Sequence, residues 1–202
     1  MEKQCEIYDF GREAIDWHQI EALQIDCFPW YEKGDKQMTT VKCAIERDIF
    51  HMKVYAEDCH IRNDVYENNT PVYEDSCFEW FVTPTAKKGE SYFNIEISCN
   101  GTIYMAYRDN TSGKIMAPKE VQDSIKIQSD IGRDHWTLEI GIPIWVFESM
   151  GKEPADKNIW YANFYRCGGK EDDQYACWQP IEGPVPNFHV PDQFGKLILR
   201  KV

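Results

Sequence analysis

Carboxylate and amide side chains recur at alternating positions in two neighbouring segments of the sequence. Glu79 lies in the segment 77–82, and Asn94 and Glu96 lie in the segment 92–98. Successive side chains of a β-strand point to opposite faces, so these polar groups share one face while apolar residues fill the other. Carboxylates accept hydrogen bonds, and amides both donate and accept them, which suits a ligand rich in hydroxyl groups.

A later segment, 159–167, adds aromatic, amide and guanidinium groups to the same kind of pattern. Asn163 lies between two tyrosines on one face, and Arg166 lies on the other face with Trp160 and Phe164. A flat ring can pack against the C–H face of a sugar while amides and charged groups bind its hydroxyls. The pattern favours a polar, ring-shaped ligand such as a sugar, although an exposed sheet face is polar in many proteins without any ligand.

The elements that position these residues are short segments with β-strand character, separated by turn residues. The predicted strands are 40–46, 50–57, 77–82, 92–98, 102–108, 124–128, 136–142, 159–167 and 195–200. The short connector 47–49 predicts a hairpin between the strands 40–46 and 50–57. Asn100-Gly101 predicts a type I′ hairpin between the strands 92–98 and 102–108. Residues 144–150 predict a short helix that ends at Gly151, and 15–25 fits either a helix or a strand.

Hairpin connections imply antiparallel pairing, and strands greatly outnumber helices. The sequence therefore predicts an all-β fold, a two-sheet antiparallel β-sandwich of the immunoglobulin or jelly-roll type with one or two short helices. The length of 202 residues fits one domain over residues 1–202.

Composition narrows the range of partners. Lys and Arg number 22 and Asp and Glu number 34, which gives a net charge of −12 that opposes nucleic-acid phosphates and anionic membrane surfaces. There is no apolar run long enough to span a bilayer. Aromatic residues make up 14% of the chain, more than a core of this size requires, so some rings are expected to face a ligand.

The eight cysteines form no C-x-x-C pair, which argues against a zinc or iron–sulfur site and favours small buried thiols. The first residues contain no apolar core typical of a signal peptide. Localisation stays open: an extracellular location if a leader was removed, and the cytoplasm otherwise.

Six segments taken together resemble a family 9 carbohydrate-binding module. The segment YEDSCFEWFV is similar to the family's acidic strand, in which D-S-V-E is followed by a hydrophobic residue and Phe. The other segments follow in the family's order, and the resemblance covers most of the chain from about residue 40 onward. The six segments are 73–82, 94–102, 136–143, 160–166, 177–178 and 188–195.

The resemblance implies a β-sandwich without catalytic activity that recognises the ends of sugar chains between two aromatic rings. Tyr73 stands at the first clamp position, where the family has Trp, and Trp178 matches the second. Glu79 matches the carboxylate that accepts sugar hydroxyls, and Arg108 matches a guanidinium donor.

Asn163 and Arg166 are expected to lie beside that site. Family members often hold structural calcium through loop oxygens. Acidic loops occur at 57–58, 109–110 and 171–173, but no calcium ligand is assigned.

Three alternative functions also fit the sequence. Glu79 and Glu96 could act as the paired carboxylates of a glycosidase. Related sandwiches include electron-transfer cytochromes, so a haem held by Met52 or Met105 together with His135 or His189 is a second alternative. A third is a sandwich that has lost sugar binding.

Overall fold

The computed structural model describes residues 2–31, 34–109, 113–170, 172 and 174–202. Within these residues the chain forms an all-β fold with two short α-helices. The elements are β1 Gln4–Asp9, β2 Leu23–Gln24, β3 Thr39–Glu46, β4 Ile49–Glu57, β5 Cys77–Thr83, β6 Ser91–Ser98, β7 Ile103–Asp109, β8 Gly113–Met116, α1 Lys119–Ser124, β9 Lys126–Ile131, β10 His135–Pro143, α2 Trp145–Met150, β11 Ile159–Cys167, β12 Ala176–Cys177 and β13 Gly195–Lys201.

Every strand predicted from the sequence is present, and the predicted helix 144–150 is α2. Two details differ. The predicted strand 124–128 begins later, because residues 119–124 form α1, and the ambiguous segment 15–25 contributes only β2. The strand β1 was not predicted, because its short run of mixed polar residues has no clear alternation of buried positions.

The strands form one hydrogen-bonded sheet in the order β8-β7-β6-β5-β11-β13-β1-β3-β4-β10-β9, with β12 and β2 attached to β11 and β3. β1 runs parallel to both of its neighbours, β13 and β3. The prediction of purely antiparallel pairing is therefore wrong at β1, where the first strand inserts between the last strand and β3. The other strand pairs are antiparallel, as the hairpin pattern predicts.

Aromatic packing shows that this sheet curls until its two halves face each other. Phe50 of β4 stacks on Trp80 of β5, with ring centroids 4.5 Å apart, and on Trp160 of β11 at 5.5 Å. β4 and β5 are far apart in the strand order, so this contact requires the sheet to fold back on itself, which is consistent with a sandwich. All three rings are fully buried, and each contributes about 2–3 kcal/mol of hydrophobic stabilisation.

The two tight hairpins differ in their turns. Arg47 and Asp48 both have positive φ, 51° and 57°, so the β3–β4 hairpin has the type I′ geometry. At the β6–β7 hairpin only Gly101 has positive φ, 89°, and its N–H donates to the Ser98 carbonyl. This is a type I turn followed by a glycine bulge, so the predicted type I′ turn at Asn100-Gly101 is wrong.

The chain between β12 and β13 covers part of the outer face of β5 and β11. The Phe188 ring stacks on Tyr165 at 4.2 Å, and the Tyr165 hydroxyl donates to the Phe188 carbonyl at 3.1 Å. Phe194 packs edge-on against Tyr92 at 5.7 Å. This cover ends before it reaches the polar groups of β5–β7, so a cavity remains above them.

Candidate functional site

The cavity has a volume of about 570 Å³, and its floor is the outer face of β5–β8. Glu79, Glu96 and Tyr104 lie directly opposite one another on β5, β6 and β7. Further along β7, Arg108 lies opposite Lys114 of β8. Because cross-strand partners share a face of the sheet, these five side chains form one continuous polar floor.

The two carboxyl groups on the floor are strongly desolvated. Glu79 is 4% exposed and Glu96 is 6% exposed. Burial and the neighbouring Glu96 raise the pKa of Glu79 well above its usual range. Burial raises the pKa of Glu96 to about 7, although the positive charges of Arg108 and Lys114 oppose the shift. Near neutral pH the pair therefore retains a proton, so one carboxyl group can donate a hydrogen bond while the other accepts one.

Arg108 and His189 add further hydrogen-bonding groups to the cavity. Arg108 is half-buried, and its Nε is buried without a hydrogen-bond partner among the described residues. The His189 ring packs on Phe81 and its Nδ1 lies 2.8 Å from the Tyr92 hydroxyl. Burial of the imidazole and the positive charge of Arg108 lower the pKa of His189 to about 4, so the ring is neutral near pH 7.

Aromatic rings form the walls. Tyr73, 51% exposed, lies on a short 3₁₀ helix, Val72–Glu74, and its carbonyl accepts a hydrogen bond from Cys167 Sγ at 3.3 Å. Tyr175 and Phe188 line the same cavity and pack edge to face at 6.0 Å. The wall therefore combines residues that are more than 100 positions apart in the sequence.

A buried carboxylate anchors the loop that carries Tyr73. Asp75 is fully buried and accepts hydrogen bonds from the backbone N–H groups of Asp64 and Val65 and from Ser98 Oγ, at 2.9–3.1 Å. Its other neighbour is Arg62, with an N–O distance of 3.5 Å. Asp75, which lies in the segment resembling the acidic strand, thus positions the loop rather than lining the cavity.

Three of the six site residues expected from the sequence, Tyr73, Glu79 and Arg108, meet at the cavity. Glu96, expected only for the glycosidase alternative, joins them there. The other three lie elsewhere. Trp178 is 4% exposed and packs edge-on against Phe164 at 5.8 Å, within the core between the two halves of the sheet.

Asn163 and Arg166 are engaged by the protein itself. Asn163 is fully buried, donates to the Gln179 carbonyl at 2.9 Å, and accepts from the Gln179 N–H at 2.8 Å. Arg166 lies on the inner face, where its Nη2 is 2.8 Å from Asp58 Oδ2 and its guanidinium lies 5.5 Å from the centre of the Trp136 ring. Neither side chain lines the cavity.

Several cavity residues were not predicted to line the sugar site from the sequence. Tyr104 and Lys114 could have been found by continuing the alternation across the β6–β7 and β7–β8 hairpins. Tyr175, Phe188 and His189 lie in irregular segments without a periodic pattern. Only the tertiary structure brings them to the cavity.

The family of this chain follows from a match between its sequence and a family model. The model for carbohydrate-binding family 9 matches residues 9–199, nearly the whole chain. The chain belongs to carbohydrate-binding family 9. No curated protein matches it significantly in sequence.

Solved structures share the fold of this family 9 chain. A protein of Bacteroides uniformis proposed to bind carbohydrate has a TM-score of 0.87 and 23% identity, covering 99% of this chain and 100% of that one. A family 9 module of Caldicellulosiruptor kristjanssonii in complex with cellotriose has a TM-score of 0.62 and 13% identity, covering 99% and 95%. A family 9 module of the same organism in complex with glucose has a TM-score of 0.61 and 14% identity. The match covers 99% of this chain and 97% of that one.

Family 9 consists of non-catalytic carbohydrate-binding modules, so the prediction that the chain is not an enzyme is confirmed by its membership. The glycosidase alternative gains no support from the geometry. Glu79 and Glu96 are cross-strand neighbours on the floor of the cavity, whereas a glycosidase needs its two carboxyl groups on either side of the scissile bond.

The haem alternative also lacks a suitable pair of ligands. Met105 is fully buried on the core side of β7, whereas His189 lies over the outer face. Met52 lies five residues along β4 from Glu57, the strand partner of His135, a separation of about 17 Å.

The described residues contain neither a cluster of metal ligands nor a membrane-spanning helix. Among the described residues, no group of three or more His, Cys, Asp and Glu side chains could hold a metal ion. Asp58, in one of the acidic loops, pairs with Arg166, and residues 110, 171 and 173 of the others lie outside the described residues.

No described helix is long and apolar enough to cross a membrane. All eight cysteines are free thiols.

Proposed function

We propose that residues 1–202 act as a single module whose cavity binds a sugar or the end of an oligosaccharide. The observation that carries this proposal is the meeting of an exposed tyrosine, Tyr73, with a buried carboxyl pair and the Arg108 guanidinium in one cavity. A volume of about 570 Å³ suits a small-molecule site. Family membership supports carbohydrate as the class of ligand.

Two tyrosines form the proposed aromatic clamp. Tyr73 offers an exposed ring at one side of the cavity. Tyr175 takes the role that the sequence suggested for Trp178, because it lines the cavity whereas Trp178 lies in the core. Tyr104 lies opposite Glu96 on the polar floor rather than on a wall, so it is not part of the proposed clamp. The C–H face of a sugar ring would pack against these flat, weakly polar surfaces.

The polar floor would orient the sugar by hydrogen bonds. Arg108 can donate but cannot accept, and the Glu79–Glu96 pair offers both a donor and an acceptor while it holds a proton. Hydrogen bonds to charged groups are the stronger ones, so these three side chains would set which hydroxyl occupies each position. Desolvation of the carboxyl groups makes an unmatched hydroxyl costly, which favours selectivity.

Binding is tested by calorimetry with a panel of neutral mono- to trisaccharides that includes glucose and cellotriose. Tyr73→Ala and Tyr175→Ala are each expected to weaken binding about tenfold, the scale of one lost stacking contact. Tyr66→Ala is the matched control, because Tyr66 is 71% exposed on the preceding loop and does not line the cavity. The proposal is wrong if no sugar binds, or if Tyr73→Ala behaves like Tyr66→Ala.

A further inference from the structure

A second cleft of about 520 Å³ lies on the outer face of β4, β10 and β9. Its floor consists of two cross-strand rows. The first row is His51, Gly141 and Lys126, and the second is Lys53, Glu139 and Gln128. Since Phe50 and its neighbours on the inner face pack against Trp80, this cleft and the cavity of Glu79 lie on opposite outer sides of the protein.

The segment before β2 forms one wall of the cleft and presents an indole ring. Lys42 Nζ donates to the Trp17 carbonyl at 2.8 Å, which ties this segment to β3. Lys53 Nζ lies 5.2 Å from the centre of the Trp17 ring. Trp17 is only half-buried, so the indole is held beside the floor and remains accessible at the cleft.

The floor contains a gap and an unsatisfied polar atom. A Cβ at Gly141 would meet Ile49 and His51 side-chain atoms at 3.4–3.7 Å, which is ordinary contact, so the floor has a shallow gap that a methyl group would fill without a clash. His51 Nε2 is buried and has no hydrogen-bond partner among the described residues. A buried ring nitrogen without a partner costs stability unless a ligand or water supplies one.

The charges around the cleft balance one another. Lys53 and Glu139 form an ion pair at 2.7 Å, and Lys126 and Glu46 add one further charge of each sign. In a chain of net charge −12, such a balanced lining selects neither anions nor cations. An indole face, an imidazole and paired donor and acceptor groups match a neutral ligand with an apolar face and hydroxyl edges.

We infer that this cleft is a second saccharide-binding site. The inference concerns a surface separate from the cavity, so it goes beyond the proposed function. Two sites on opposite sides would let one module hold two saccharide chains at once, or two segments of an insoluble polysaccharide. Linked binding of that kind raises the overall affinity above that of either site.

The test combines calorimetry with NMR of the ¹⁵N-labelled tryptophan indoles, using the same panel of neutral saccharides. In Tyr73→Ala, saccharide is expected to shift the Trp17 indole signal and to saturate one remaining site. Trp17→Ala and Gly141→Val are expected to weaken that site at least about fivefold and to leave the Glu79 cavity unchanged. Gly141→Val fills the floor without changing the wall. Trp145→Ala is the matched control, because Trp145 is 48% exposed on α2 and lines neither site.

The outcomes separate the two proposals. If Tyr73→Ala removes all binding and the Trp17 signal stays unmoved, the second site is refuted and the proposed function stands. If Trp17→Ala removes all binding and Tyr73→Ala removes none, the cleft is supported and the proposed function fails. Absence of binding in the wild-type chain overturns both.

Discussion

Replacing Glu96 by glutamine tests whether the carboxyl pair of the cavity destabilises the fold. The pKa of Glu96 is about 7 in the folded chain and 4.5 in its ordinary state. Because the folded chain keeps this proton after the unfolded chain has lost it, the free energy of unfolding falls as the pH rises from about 4.5 to about 7. Above pH 7 both states are ionised and the loss is complete.

The size of the loss follows from the shift. The rise in the pKa of Glu96 from 4.5 to about 7 lowers the free energy of unfolding by about 3 kcal/mol at pH 8. Glutamine has nearly the same volume and, like a protonated carboxyl group, can both donate and accept hydrogen bonds, but it cannot ionise. Glu96→Gln should therefore raise the free energy of unfolding by about 3 kcal/mol at pH 8 and change it little at pH 4.5. Removal of the charge that raises the Glu79 pKa acts in the same direction.

Urea unfolding followed by tryptophan fluorescence at both pH values measures this difference. For a chain of this size, the expected gain moves the midpoint by about 1 M at pH 8. Glu148→Gln, on the exposed side of α2, is the control and should leave the midpoint unchanged at either pH. Equal stabilisation at pH 4.5 and pH 8, or destabilisation at pH 8, would refute the reasoning. The same variant should bind sugar more weakly, because stability and function oppose each other at this residue.

Three further variants test other parts of the structure. Trp178→Phe should lower the free energy of unfolding by about 1–3 kcal/mol and leave sugar affinity unchanged in calorimetry, whereas a tenfold loss of affinity would place the ring at the ligand. Asp58→Ala leaves the Arg166 guanidinium buried without its carboxylate and should cost about 3–5 kcal/mol in urea unfolding; a cost below about 1 kcal/mol would contradict a buried ion pair. Asp75→Ala releases the loop that carries Tyr73, so it should speed amide exchange at residues 64–65 and weaken sugar binding several-fold; unchanged exchange would show that the loop does not depend on this carboxylate.

Local sequence pattern predicted three of the five side chains on the floor of the cavity, Glu79, Glu96 and Arg108. Alternation along 77–82 and 92–98 places Glu79 and Glu96 on one face, and a hairpin at Asn100-Gly101 brings the next strand, with Arg108, beside them. These residues are close in sequence, and their relative positions follow from the geometry of a strand and a tight turn. The family resemblance then identified Tyr73, whose position before β5 is also local.

The same reasoning was insufficient for residues whose role depends on what packs against them. Arg166 alternates onto the inner face of β11 with the core aromatics, and its partner Asp58 follows β4, more than 100 residues earlier. Trp178 follows a two-residue strand, so its sequence neighbours do not determine whether it faces the ligand or the core. In both cases the side chain was predicted to contact a ligand, because the sequence does not reveal the distant residues that pack against it.

The sequence by itself therefore determined the strand-rich class, most strand positions, the family and three of the five side chains of the polar floor. Tertiary structure decided that β1 joins β13 to β3 in parallel, that the sheet curls onto one aromatic core, and that Tyr73, Tyr175 and Phe188 meet above Glu79. It also placed the Trp17 ring near Lys53 at the cleft on the opposite side. The physical reason is range: alternation and turn chemistry act over a few residues, whereas strand order and loop packing arise from the burial of surfaces that are far apart in the chain.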